Sequence, residues 1–304
     1  MTAERFLITG ALGCVGAWTA KHLTDEGLDV WTYDLGGDAH RLRLTMDDDA
    51  LAKVHLIEGD IADLDTFERT VGAKVNVVGT TVVLETAKRR ADQLQGLAYA
   101  SSIGVYGEAE NYPDAPLAHD APLDPPTLYG VFKQANEGTA RIYWREYGVD
   151  SIGLRPYVVY GPGRDQGWSS TPTKAMLAAI LGRPFHISYG GTVVYHHAAE
   201  TARVMIRAAR TSMEGAHVYN LGGATASMQE IVAAIEDAVP EIAGQITFDP
   251  TPLPHPPTID DSALTQALGP IDWLSMHDGV QQTIDYFRTA IDRKRLDIER
   301  ALQV

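Results

Sequence analysis

The sequence predicts a parallel α/β fold, and three observations carry that expectation. Short apolar runs alternate with amphipathic helical patterns through the first half of the chain. A glycine triplet, Gly10-x-x-Gly13-x-x-Gly16, stands where the first run gives way to the first helical pattern. Composition is that of a globular protein, with 45% apolar and 21% charged residues among 304.

Phe6 to Thr9 reads as a buried strand, and the helical pattern through Ala17, Ala20 and Leu23 stops at Gly27. Val30 to Tyr33 forms the second strand, closed by Asp34, and His55 to Glu58 the third, closed by Gly59-Asp60. Asp65 to Val71 suggests a short helix, and a second helical pattern begins at Asn76. Gly96 to Ala100 is a strand leading into Ser101-Ser102; a Pro- and Asp-rich loop covers 108–127. Leu128 to Tyr147 is a long helix and Ser151 to Leu154 a strand. Beyond a Pro- and Gly-rich stretch at 161–172, Thr173 to Leu181 is helical, Ala216 to Leu221 strand-like, and Ser227-Met-Gln-Glu230 a capping box ahead of the helix Ile231–Ala238. Residues 1–160 are therefore expected to form one domain, and 161–304 a smaller lobe with segments returning to the main sheet.

The net charge of −15 argues against nucleic acid and anionic membranes as partners, and no apolar stretch approaches the length of a membrane span. The N-terminus lacks the apolar core of a signal peptide, and a single cysteine forms no intrachain disulfide; both point to the cytoplasm.

The glycine triplet permits a tight turn and lets a pyrophosphate approach the free N–H groups of a helix N-terminus. Cys14 inside it reads as a small filler, because no base can be paired with it. Asp34, at the end of the second strand, can accept hydrogen bonds from both ribose hydroxyls and repels a 2′-phosphate, which favours NAD. Asp60 ends another strand, where a carboxylate can reach an adenine amine or cap a helix. Tyr129-x-x-x-Lys133 puts a phenol and an ammonium on one helix face. The ammonium favours the phenolate and should lower the phenol pKa from about 10, making a general acid–base for an alcohol oxygen. Ser101-Ser102 ends the preceding strand, where a hydroxyl can hold the same oxygen. His196 and His197 lack the carboxylate or cysteine spacing of a metal site, and no metal is expected.

Together TGALGCVG, Asp34, GDIAD at 59–63, SSIGVYG at 101–107, LYGVFK at 128–133, LRPYVVYGPG at 154–163 and YNLGG at 219–223 resemble the extended short-chain dehydrogenases/reductases of the NAD-dependent epimerase/dehydratase family. The motifs follow family order over nearly the whole chain. The resemblance implies a Rossmann-type, doubly wound parallel sheet holding NAD and a smaller C-terminal substrate lobe. Tyr129 would transfer the proton, Lys133 would bind the nicotinamide ribose and tune Tyr129, and Ser102, four residues before Tyr106, would be the catalytic serine. Gly10, Gly13, Cys14, Val15 and Gly16 would cradle the cofactor, with Asp34, Asp60 and Ile61 at its adenosine end and Pro156 and Val159 against its nicotinamide. It also implies a homodimer built on a four-helix bundle of helices 76–91 and 128–147.

The chain departs from the family in three places. Sugar-nucleotide enzymes carry Asn where this chain has Val158, and an Arg-Asp pair where it has Val193-Val194, so two diphosphate contacts become apolar. The expected substrate is accordingly a small hydroxylated molecule, a free sugar or sugar acid. The third departure is a strand and loop of about 20 residues that the family places between the helices here assigned to 65–71 and from Asn76 onward. That strand lies centrally in the sheet, so one central strand is missing. Its loss leaves two options: the flanking strands close up, or a gap stays open, unless Ala73 to Val78 supplies the strand. It also motivates a non-catalytic NAD-binding or structural protein as the alternative to an oxidoreductase or epimerase.

Overall fold

The computed structural model describes residues 4–61 and 77–303. Strand β1 (Arg5–Thr9) leads through helix α1 (Cys14–Asp25) to β2 (Asp29–Asp34), and two short helices, α2 (His40–Thr45) and α3 (Asp48–Leu51), lead on to β3 (His55–Glu58). Helix α4 (Gly79–Arg89), β4 (Ala98–Ala100), the long helix α5 (Leu128–Tyr147), β5 (Ser151–Arg155) and β6 (Val158–Tyr160) follow. The remainder comprises α6 (Thr171–Ile180), β7 (Phe185–Ile187), β8 (Thr192–His197), α7 (Ala198–Arg210), β9 (Ala216–Asn220), β10 (Ala224–Ser227), α8 (Met228–Ala238), β11 (Ile246–Phe248), α9 (Ser262–Leu268), α10 (Met276–Asp292) and α11 (Ile298–Leu302).

Local chemistry sets these boundaries. The Thr127 side chain accepts from Gly130 N to start α5, and Gly148, at φ 67°, ends it in the left-handed conformation glycine tolerates. Ser227 and Glu230 complete the capping box that starts α8. Helix α4 is shorter than the expected 76–91, and Val77–Val78 precede it in π-helical conformation. Those two residues are helical, so the described part of 73–78 is not a strand. The expected helix Asp65–Val71 lies outside the described residues, and so does Asn76.

The parallel sheet comes in two halves. Strands β1, β2 and β3 pair in parallel with β2 in the middle, in a register that sets Arg5 opposite Asp29 and Trp31 opposite His55. Strands β4, β5 and β9 form a second parallel set with β5 in the middle, so a segment from beyond residue 200 returns to this layer. Among the described residues no ladder joins β1 to β4; residues 62–76, between β3 and α4, lie outside them, and with them most of the expectation about the additional strand. On β1, Ile8 is buried toward α1, whereas Leu7, which the strand alternation points to the opposite face, is 62% exposed. Its register partner Trp31 also reaches solvent and stacks on His55. A further layer of β6, β8 and β10, with the β7–β11 pair and helices α6, α8 and α10, surrounds the largest apolar core.

Helix α7 holds the two halves together. Its Ile206 packs with Ile8, Ala20 and Val30 of the first half, while Val204 and Ala208 pack with Ile152 and Leu154 of the second. Ala198, Ala199 and Ala202 surround Trp18 of α1. At its far end Arg210 binds Glu4 and Glu26, at 3.0 and 2.6 Å. Ile206→Ala should therefore cost about 2–5 kcal/mol, read as a shift in urea midpoint at constant slope; a loss below about 1 kcal/mol would show that the halves are joined elsewhere.

Candidate active site and cofactor cradle

The site is assembled at the ends of β1, β2, β4 and β5. After β1, Gly10 adopts φ 73° and Gly13 caps α1 without any side-chain partner, leaving the first N–H groups of that helix open. At Gly16 an added Cβ would lie 2.3 Å from Gly10 O, so only glycine lets the helix start this close to the turn. Asp34 braces the loop: Oδ2 accepts from Leu12 N and Oδ1 from Leu35 N, both at 2.8 Å. A carboxylate has about four acceptor positions, so Asp34 keeps capacity for ribose hydroxyls. Val15, Cys14 and Val159 pack together beside Trp18. Burial pushes the Cys14 thiol up to about 12, which removes it from nucleophilic chemistry. Gly59 N bonds Asp34 O and carries the chain past Asp60 and Ile61 along the same edge. The open helix start, the glycine contacts and the spare capacity of Asp34 fit NAD.

Beyond β4 the ladder with β5 continues: Ser101 N bonds Leu154 O and Ile103 N bonds Pro156 O, which sets Ser102 beside Pro156. Ser102 caps the turn Ile103–Val105, its Oγ accepting from Gly104 N at 3.1 Å. Helix α5 lies on that turn because Gly130 has no side chain; a Cβ there would be 2.0 Å from Gly104 O. A Cβ placed on Gly104 would touch both Ser102 Oγ, at 3.4 Å, and the Tyr129 ring, at 3.6 Å, so the three groups share one corner. Lys133 extends along the same helix face, its Nζ 5.6 Å from the centre of the Tyr129 ring and bonded to Ala100 O at 2.8 Å.

The expected depression of the Tyr129 pKa is not present. Burial raises the phenol above its ordinary value, and Ser102 and Arg164 only partly offset this. The ammonium of Lys133 bonds the Ala100 carbonyl and is not among the groups that lower the phenol. Burial in turn pulls the Lys133 pKa down to about 8.

Four residues outside the sequence-derived set, together with Ser101, hold this corner in place. Arg155 and Glu137, both buried, form a two-pronged ion pair with contacts of 2.7 and 2.8 Å. Glu137 also accepts from Ser101 Oγ at 2.5 Å, and Arg155 donates to Tyr106 Oη at 2.5 Å. Tyr106 donates onward to Asn220 Oδ1 at 2.9 Å. Glu137 stands four residues after Lys133 on the same helix face, which is the signal a sequence offers for it.

The histidines separate. His196 spends both ring nitrogens, accepting from Tyr157 N and bonding Gly222 O, each at 2.8 Å, and burial lowers its pKa to about 4. It is a neutral core residue. His197 is buried beside Trp18 and Tyr160 with neither nitrogen paired. Among the described residues no group of His, Cys, Asp and Glu is arranged to hold a metal, and no helix is long and apolar enough to cross a membrane.

The model of the NAD dependent epimerase/dehydratase family matches residues 69–222, half of the chain. The chain belongs to this family. UDP-glucose 4-epimerase of Mycolicibacterium smegmatis is 27% identical over 324 residues, covering 93% of this chain and 98% of that protein. UDP-glucuronate 4-epimerase 2 of Arabidopsis thaliana is 30% identical over 185 residues, 51% of this chain and 42% of that one. The crystal structure of UDP-glucuronic acid 4-epimerase from Bacillus cereus in complex with NAD superposes with a TM-score of 0.77 at 22% identity, covering 94% and 99% of the two chains. A partial consensus L-threonine 3-dehydrogenase gives 0.78 at 20% identity, covering 94% and 100%. These structural likenesses carry the doubly wound fold. The chain is an enzyme of the epimerase/dehydratase family, and its cofactor is NAD.

An ammonium held below its ordinary pKa is a charge the fold carries at a loss. The unfolded chain binds that proton more tightly, so stability should rise as pH increases from about 8 toward the ordinary lysine value of about 10.4. Lys133→Met should therefore raise the melting temperature at pH 7 while lowering NAD affinity and turnover. Melting curves and NAD titration check both signs, and a variant that melts lower would refute the account of Lys133.

Proposed function

We propose that this enzyme is an NAD-dependent oxidoreductase or epimerase of a small hydroxylated substrate, a free sugar or sugar acid. The observation that carries the reading is the convergence of Ser102, Tyr129 and Lys133 at the corner formed by Gly104 and Gly130. Ser102 Oγ holds the substrate oxygen by a hydrogen bond. Tyr129 takes the proton of that hydroxyl as the carbon–oxygen bond becomes double, and returns it when the direction reverses. Lys133, on the same helix face, orients the ribose. NAD, when bound, supplies the acceptor for the hydride leaving the same carbon. An epimerase restores that hydride on the opposite face, and a dehydrogenase releases the reduced cofactor; the residues serve either outcome. Residues 1–160 would hold the cofactor and 161–304 mainly the substrate.

Apolar positions support this substrate class. Val158, Val193 and Val194 are each at most 2% exposed, and none offers a polar side-chain atom to a diphosphate. A buried diphosphate without polar partners is strongly disfavoured. Relatives are named for UDP-sugars, which makes this the point to test. Calorimetry should give weak or no binding of UDP-sugars, whereas a panel of free sugars and sugar acids with NAD should yield NADH absorbance or an epimerised sugar. Tyr129→Phe should lower that turnover by about 100-fold or more and leave NAD affinity nearly unchanged. Micromolar affinity for a UDP-sugar would overturn the substrate class; normal turnover of the phenylalanine variant would overturn the mechanism.

We also propose a cytoplasmic homodimer. Leu128, Val131 and Ile142 are exposed on α5, and Ala135 and Gly138 continue their three- and four-residue spacing; Val82 is exposed on the neighbouring α4. Light scattering should give twice the chain mass, and Val131→Asp with Ile142→Asp should halve it. An unchanged mass would exclude this face as the interface.

A further inference from the structure

Arg41, on α2, lies seven residues beyond Asp34 and makes four hydrogen bonds. Its Nη1 donates to Leu12 O at 2.8 Å and its Nε to Gly163 O at 3.0 Å. Nε and Nη2 both donate to Asp165 Oδ1, at 3.0 and 2.5 Å. His40 Nε2 lies 2.8 Å from the other oxygen of Asp165. The side chains of Arg41, Asp165 and His40 are 13%, 10% and 17% exposed. Burial pushes the Asp165 carboxyl up, but Arg41 and His40 outweigh it and hold it below the ordinary carboxylate value. The loop around Asp165 is seated firmly on the cofactor loop: Trp18 Nε1 donates to Pro162 O at 2.8 Å, and a Cβ at Gly163 would lie 3.6 Å from Cys14 Sγ.

Leu12 is the residue shared by acid and base. Asp34 Oδ2 accepts from its N–H, and Arg41 donates to its carbonyl, both at 2.8 Å. The two charged groups therefore stand at the two ends of one residue, within roughly 10 Å of each other by backbone dimensions. A cofactor ribose bound at Asp34 would present its 2′ position close to this guanidinium. An arginine near the end of the second strand is the group that accommodates a 2′-phosphate in NADP enzymes. In this chain the arginine is present, yet three of its five N–H groups are committed, two of them to Asp165.

We propose that Asp165 is a determinant of cofactor choice: by engaging Arg41 it withholds the guanidinium from a 2′-phosphate, so that the preference for NAD is set by Asp34 and by Asp165 together. The proposal rests on the reading of Asp34 as the ribose contact. It predicts a change in a ratio, which a merely structural seam does not, because loosening the cofactor loop weakens both cofactors in parallel.

Affinities for NAD and NADP, measured by calorimetry on the wild type, Asp165→Asn, Arg41→Met and the double variant, test it, with melting curves confirming that each is folded. The wild type should prefer NAD. Asp165→Asn should move the NADP-to-NAD ratio toward NADP by about tenfold, the size of one charge-assisted hydrogen bond. Arg41→Met should show no such gain, and the double variant should lose it. If Asp165→Asn does not fold, Asp165→Ser replaces it in the same comparison. An unchanged ratio in a folded Asp165 variant, or a gain that survives the loss of Arg41, overturns the proposal. Equal affinities in the wild type would overturn instead the reading of Asp34.

Discussion

The buried pair of Arg155 and Glu137 is the interaction on which the catalytic corner depends. Burying two ions is costly, and the cost is offset only when geometry and further hydrogen bonds satisfy them. Here they are satisfied by Ser101 at the end of β4, by Tyr106 in the turn after it and by the His119 carbonyl, while Asn220 at the end of β9 holds Tyr106 in turn. Helix α5 contributes Glu137 and β5 contributes Arg155. The pair therefore fixes the helix carrying Tyr129 and Lys133 against the strand end carrying Ser102. No neighbour can shift without leaving part of a charge unpaired in the interior, a penalty of about 3–5 kcal/mol when one partner is lost. Satisfying a buried ion pair and aligning the serine with the tyrosine are one geometric requirement.

Among the described residues the two half-sheets share no ladder. A continuous sheet is held by its own ladders. Here α7 takes over that task, with Ile206 reaching one half and Val204 and Ala208 the other. The arrangement leaves the Leu7 and Trp31 face open to solvent. The cofactor loop hangs from the first half and the catalytic corner from the second, so their mutual placement rests on α7 and on the seam at Gly163 and Asp165.

Much of this was legible in the sequence. The bounds of Leu128–Tyr147 follow from Thr127 and Gly148, and the glycine triplet states its own steric reason. Ser102, Tyr129 and Lys133 do come together, because Gly104 and Gly130 allow it. What escaped reading depends on distant partners. Helix His40–Thr45 is only six residues long and has little periodicity to show. Strand Val158–Tyr160 is three residues long and reads as part of a motif. The pairing of Arg155 with Glu137 is a tertiary fact that neither residue announces. The titration of Tyr129 was misjudged because spacing shows that Lys133 is near, but neither that its ammonium bonds Ala100 nor that burial raises the phenol.

The single thiol of the chain lies inside the seam, where Cys14 Sγ faces Pro162 O at 3.8 Å and Gly163 closes over it. The thiol is partly covered while the seam is shut and gains exposure when the two loops part. The molecule thus carries its own single-site gauge: the rate at which an alkylating reagent consumes that thiol should rise when the cofactor loop and the loop of Asp165 separate, with no label to introduce and no second cysteine to confuse the signal.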